Sequence, residues 1–147
     1  EALASDLPLA VRCPVLAVNA DEPLCFPLAR VAVAWDGSAE AANALRSAVS
    51  LLGDAEVTVI TVENAPAEFP ATGAVTYLSR HGIKAELQIV ERVGAVQETI
   101  ARELSLLQPQ LLVMGAFRHS RLREFLFGGV TRFFLDEPGG PALLLAH

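Results

Sequence analysis

The chain has 147 residues, of which 52% are hydrophobic and 19% charged, and its formal net charge is −6. Such a composition supports one compact domain with a sizeable core and excludes a disordered chain. The acidic balance argues against a non-specific nucleic-acid binder, and no apolar run approaches the eighteen or so residues a membrane span needs.

In chain order, Cys13-Pro14-Val15-Leu16-Ala17-Val18 reads as a short strand introduced by a proline. Residues 19–29, with Pro23 and Pro27 among small and polar residues, read as a linker. Cys13 and Cys25 are the only cysteines. They form no metal or C-x-x-C spacing and are expected to be buried or partly buried thiols in a reducing compartment. With no signal-peptide pattern, that compartment is the cytoplasm. Glu1 in place of a methionine suits a piece of a longer protein.

Val31 to Trp35 is the next strand, closed by Asp36-Gly37-Ser38, with Ser38 as N-cap of a helix. Ala41, Ala42, Leu45, Ala48, Val49 and Leu52 recur at helical spacing until Gly53. Val57 to Val62 is a strand of β-branched residues, followed by a proline-bearing loop, Glu63 to Pro70. A weaker helix runs near Ala71 to His81. Ala85 to Val90 alternates as an edge or half-covered strand does. Val96, Ile100, Ala101, Leu104 and Leu107 mark another helix, broken at Pro109. Leu111 to Met114 and Pro141 to Leu145 are the last strands. From Val31 onward, five strands alternate with four helical patterns, the fourth lying between Met114 and Pro141, at intervals of roughly 25–30 residues, the spacing of right-handed crossovers. The expected fold is α/β, an open, mainly parallel five-stranded sheet with helices on both faces.

The most informative stretch runs from Leu111 to Leu135. A buried strand ends at Gly115, a loop carries Arg118, His119, Arg121 and Arg123, and Gly128-Gly129 interrupts an apolar helical pattern. A strand feeding a glycine turn and a helix start is a natural anion site, although every strand-to-helix turn favours glycine. The basic cluster suits one small anion or a solvated helix start. Asp36, Val62 and Gly115 all fall at C-terminal strand ends, where open α/β sheets bind ligands. Asp36 has two readings, an acceptor for a ligand N–H group or a turn residue capping the helix with Ser38. There is no P-loop, G-x-G-x-x-G or G-x-S-x-G pattern, and His81, His119 and His147 form no metal spacing.

Val31-Ala32-Val33-Ala34-Trp35-Asp36-Gly37-Ser38 with its alanine-rich helix resembles the start of a universal stress protein domain. Met114-Gly115 through Gly128-Gly129-Val130-Thr131 resembles the nucleotide loop of that family, and Pro141 to Leu145 its closing strand. The resemblance implies a regulatory, stress-response module that binds ATP, with magnesium, or AMP. Asp36 and Val62 would then meet adenine, Met114 and Gly115 would line the ribose and phosphate approach, and Gly128, Gly129 and Val130 would offer backbone N–H groups to phosphate. The ATP-binding branch carries glycine, two residues, glycine, nine residues, then glycine followed by serine or threonine. Here the middle glycine is Arg118 and the final hydroxyl residue is Gly129. Arg118 either blocks close backbone approach or pairs with phosphate.

If the loop binds nothing, the alternative is a dimerisation or protein-interaction module. A slow nucleotide hydrolase is the enzymatic one, without a convincing base–nucleophile pair. Residues 1–18 resemble the last helix end and closing strand of a preceding half, 19–29 a linker, and 30–147 the domain itself. The whole then resembles the second half of a tandem protein. Its last strand, residues 142–146, is expected to pair with residues 14–18, within one chain or between two in a homodimer, covering an apolar edge.

Overall fold

The computed structural model describes residues 13–63, 69–115, 133–134 and 139–146. Its strands are β1 (Val15–Ala17), β2 (Arg30–Ala34), β3 (Glu56–Val62), β4 (Ala85–Val90), β5 (Leu111–Gly115) and β6 (Ala142–Ala146). Helices α1 (Ala39–Leu52), α2 (Ala71–Arg80) and α3 (Val96–Leu107) lie between β2 and β3, β3 and β4, and β4 and β5. The sheet order is β1-β6-β5-β2-β3-β4. The five strands from β2 onward are parallel, and β1 adds a sixth, antiparallel strand at one edge.

Side-chain alternation divides this sheet between two cores. Val31 and Val33 of β2, Leu111 and Val113 of β5, and Leu144 of β6 face one side, packed with Leu45, Ala48 and Leu52 of α1 and Leu78 of α2. Their neighbours Ala32, Ala34, Leu112, Met114, Leu143 and Leu145 face the other, with Ile100 and Leu104 of α3 and with Phe134. β5 and β6 are buried at every residue, which is why both read as unbroken apolar runs and not as alternating ones. Each fully buried leucine there contributes roughly 1.5–3 kcal/mol.

The helix ends are set locally. The Ser38 hydroxyl accepts the Ala41 N–H at 3.1 Å, and Gly53, at φ 53°, stops α1. Helix α3 starts from Ala95, which has no acceptor of its own. Buried Thr99 compensates: its Oγ1 accepts the Val93 N–H and lies 3.0 Å from the Val93 and Ala95 carbonyls.

β1 pairs with β6 in the register Val15–Leu145, Leu16–Leu144 and Ala17–Leu143, within the one chain. The connection from β1 to β2 then passes the N-terminal ends of β6 and β5. Leu28 is buried along it, and the Gln110 side chain accepts the Ala29 N–H just before β2. Both thiols differ from expectation. Cys13 and Cys25 are exposed and free, because one precedes the short edge strand and the other lies in the proline-rich connection, away from either core.

Candidate functional site

The chain moves outward from β2 through β3 to β4, then returns to place β5 on the other side of β2. The C-terminal ends of β2 and β5 therefore diverge into different connections, and a crevice opens where strand order reverses. Ala34 and Met114 are register partners across it. Asp36 follows two residues after Ala34. Ala34 pairs with Ile60, and the Trp35 N–H donates to the Ile60 carbonyl at 2.8 Å, which carries Asp36 to the level of Val62 on β3. Gly115 ends β5 opposite Ala146. Asp36, Val62, Met114 and Gly115 thus gather at one end of three adjacent strands. Arg118, Gly128, Gly129 and Val130, like His119, lie outside the described residues.

These four residues play different parts. Met114 is a core side chain on the α3 face. Val62, at the end of β3, is half-buried and packs against the same core. Gly115 is required by packing: a Cβ there would stand 2.6 Å from the Ala41 nitrogen and 2.7 Å from the Glu40 carbonyl carbon. The first turn of α1 therefore lies directly against β5 and closes that side of the crevice.

Asp36 takes the second of the two roles its sequence position allowed, that of a turn residue. Its Oδ1 accepts the Ser38 N–H at 3.0 Å and the Ser38 hydroxyl at 2.6 Å, so it ties the turn that starts α1. Gly37 supports this turn at φ 79°. Both Ser38 bonds fall on Oδ1. Partial loss of water around the carboxyl raises its pKa above the ordinary 3.8. The Ser38 hydrogen bonds pull it back, and the Glu40 carboxylate adds a smaller upward push. Asp36 as a whole residue is still exposed, so the desolvation acts from the protein side only and water screens its effect on stability. Ser38 and Asp36 superficially form a hydroxyl–base pair. The Ser38 oxygen already accepts the Ala41 N–H, however, and serves as a helix cap.

Glu40 is a residue that the sequence reading did not single out for the site. The fold makes it the second carboxylate at the α1 side of the crevice. A further feature left no sequence signal: the Trp35 indole N–H donates to the Phe69 carbonyl at 2.9 Å, and the Phe69 N–H to the Gly37 carbonyl at 3.0 Å. These bonds tie the residues before α2 to the end of β2. A larger depression, of about 890 Å³, lies at the opposite edge of the sheet among Arg30, Asp54, Glu56, Lys84 and Glu86. It is an open groove of mixed charge at N-terminal strand ends, where sheets of this kind do not place their ligands.

Comparison with known proteins agrees with this architecture. The universal stress protein Slr1230 of Synechocystis is 31% identical over 122 residues, 79% of this chain and 42% of its own. The chain therefore spans less than half the length of that relative. A universal stress protein from Archaeoglobus fulgidus DSM 4304 superposes with a TM-score of 0.67 at 19% identity, over 92% of this chain and 50% of its own. One from Archaeoglobus fulgidus in complex with dAMP superposes with a TM-score of 0.57 at 20% identity, over 81% of this chain and 98% of its own. The model of the universal stress protein family itself matches residues 28–141, from the buried Leu28 to the proline before β6, and by this match the chain belongs to that family.

Proposed function

We propose that the C-terminal edge of the sheet binds an adenine nucleotide, ATP or AMP, and that the domain is a regulatory, stress-response module. The observation that carries this reading is the gathering of Asp36, Val62, Met114 and Gly115 at the topological switch point. The dAMP complex of a relative of the same fold supports the choice of ligand. Asp36 Oδ2 suits an exocyclic amine, and Val62 beside it offers an apolar wall to a base. The phosphates must point away from α1, because Asp36 and Glu40 make that side acidic and Asp36 already occupies the helix start. That direction leads past Gly115, after which the sequence continues to Arg118, Gly128, Gly129 and Val130, the residues proposed to meet phosphate, with magnesium accompanying ATP. Efficient catalysis is not part of the proposal, since the one hydroxyl–carboxylate pair among the described residues of the crevice is a helix cap.

The test is calorimetric titration of the purified chain with ATP and magnesium, and separately with AMP. Micromolar binding, weakened about tenfold by Asp36→Ala, is expected, the loss typical of a hydrogen bond to a charged group. No heat with either nucleotide, and none co-purifying, would leave a dimerisation or protein-interaction module as the better reading.

We further propose that residues 1–18 close a preceding half of a tandem protein, which works in the cytoplasm. The antiparallel pairing of β1 with β6 supports this arrangement. So does the match to a structure of which this chain covers only half. Two exposed free thiols suit a reducing compartment, and among the described residues no helix is long and apolar enough to cross a membrane.

A further inference from the structure

Between α1 and α2 lies a cleft of about 260 Å³ walled by Trp35, Phe69, Tyr77 and Leu45. Its walls are held in place. The Trp35 indole N–H is fixed on the Phe69 carbonyl, the Phe69 N–H on Gly37, and the Tyr77 ring lies 4.5 Å from that of His81. Small residues leave the space open: among the described residues, nothing beyond the adjoining backbone of α2 and the chain neighbours of Gly73 lies within 4 Å of where a side chain there would begin. Arg46 stands at the rim. Its guanidinium donates to the Asn43 side-chain oxygen and has no ion-pair partner among the described residues.

We propose that this cleft is a second ligand site, for a small planar aromatic carboxylate. Three aromatic rings around a hollow would by themselves suit a cation. Among the described residues, however, the lining contains no carboxylate and its one charge is the Arg46 cation, so the complementary ligand is an anion. The indole N–H is already bonded, so a heterocycle with several polar edges would bury them without partners. An apolar ring avoids that penalty. The volume exceeds the roughly 150 Å³ that admits benzene and suits a fused two-ring system. The inference does not depend on nucleotide binding at the C-terminal edge.

Trp35 is the only tryptophan, so its indole N–H gives one unambiguous signal in a proton–nitrogen NMR spectrum. Titration with 2-naphthoate is expected to shift it saturably, with Kd between roughly 0.1 and 2 mM for a ligand of this size. Neutral 2-naphthamide is expected to bind about three- to tenfold more weakly, and Arg46→Gln to remove that preference, as loss of one exposed ion pair implies. Gly73→Leu, whose side chain projects into the open space, is expected to abolish the shift while circular dichroism shows the fold retained. Saturating AMP is expected to leave the naphthoate titration unchanged, which separates this site from the nucleotide reading. The proposal is overturned if naphthoate gives no saturable shift, if amide and carboxylate bind alike, or if Arg46→Gln has no effect. Competition by AMP, or tighter binding of phenyltrimethylammonium than of naphthoate, would overturn it equally.

Discussion

Gly115→Ala tests the contact that shapes the switch point. The added methyl would lie 2.6 Å from the Ala41 nitrogen, 2.7 Å from the Glu40 carbonyl carbon and 2.9 Å from the Glu40 Cβ. All three atoms belong to the first turn of α1, and two of them are backbone, so no side chain can rotate away. Either the start of α1 shifts by most of an ångström or the end of β5 does. Overpacking of this kind costs about 1–3 kcal/mol, and rigid backbone on the far side places it in the upper part of that range. A Gly-to-Ala change also restricts the unfolded chain, which offsets about 0.4–1 kcal/mol. The expected net loss is about 1.5–2.5 kcal/mol, or a fall in Tm of roughly 3–10 °C for a domain of this size. Urea unfolding followed by far-UV circular dichroism measures it as a lower midpoint at unchanged m. Gly73→Ala is the control, because its new methyl meets nothing within 4 Å and improves a helix. If Gly115→Ala stays within about 0.5 kcal/mol of the parent, the close approach of α1 to β5 is wrong.

Ser38→Ala removes the acceptor for the Ala41 N–H and a donor to Asp36, and should cost about 1 kcal/mol in urea unfolding. An unchanged midpoint would remove Ser38 from the cap. For Asp36, the folded pKa is raised above 3.8, so its stabilising contribution is present below that value and lost as pH rises through the folded pKa. Asp36→Asn keeps an oxygen for Ser38 without the charge, so its stability relative to the parent should improve as pH rises from about 3 to about 7. A flat or reversed trend would show that the carboxyl keeps its full hydration. Deleting residues 1–18 uncovers β6, whose five residues Ala-Leu-Leu-Leu-Ala are buried, and light scattering should report a higher molar mass than the parent's. An unchanged mass would mean that β1 is not what protects that edge.

Much of this architecture could be read from local pattern. β5 and β6 show as apolar runs bounded by Pro109, Gly115 and Pro141, and α1 by a serine cap, helical spacing and a terminal glycine. The β1–β6 pairing was expected only through the family resemblance, in which Pro-Val-Leu-Ala and Pro-Ala-Leu-Leu-Leu both look like closing strands. Other features depend on contacts that no local pattern encodes. The reason for glycine at 115 is a neighbour more than seventy residues earlier in sequence, so it read as a turn glycine when it is a packing one. The aromatic cleft joins Trp35 to Phe69 through a backbone carbonyl, and a carbonyl has no residue identity to notice. The thiols read as buried because cysteine usually is. Their exposure follows from lying before a three-residue edge strand and in a connection between prolines.

The antiparallel pairing of β1 with β6 also governs how the chain responds to force. Val15 sits opposite Leu145, so the outer ends of both strands emerge at the same edge of the sheet. Tension drawing those two ends apart would load the hydrogen bonds between the strands one after another, like a zipper, and not all together in shear. β1 would therefore peel away first and at low force, while the five parallel strands stayed whole. A pull across this junction would uncover the β6 edge long before it unfolded the domain.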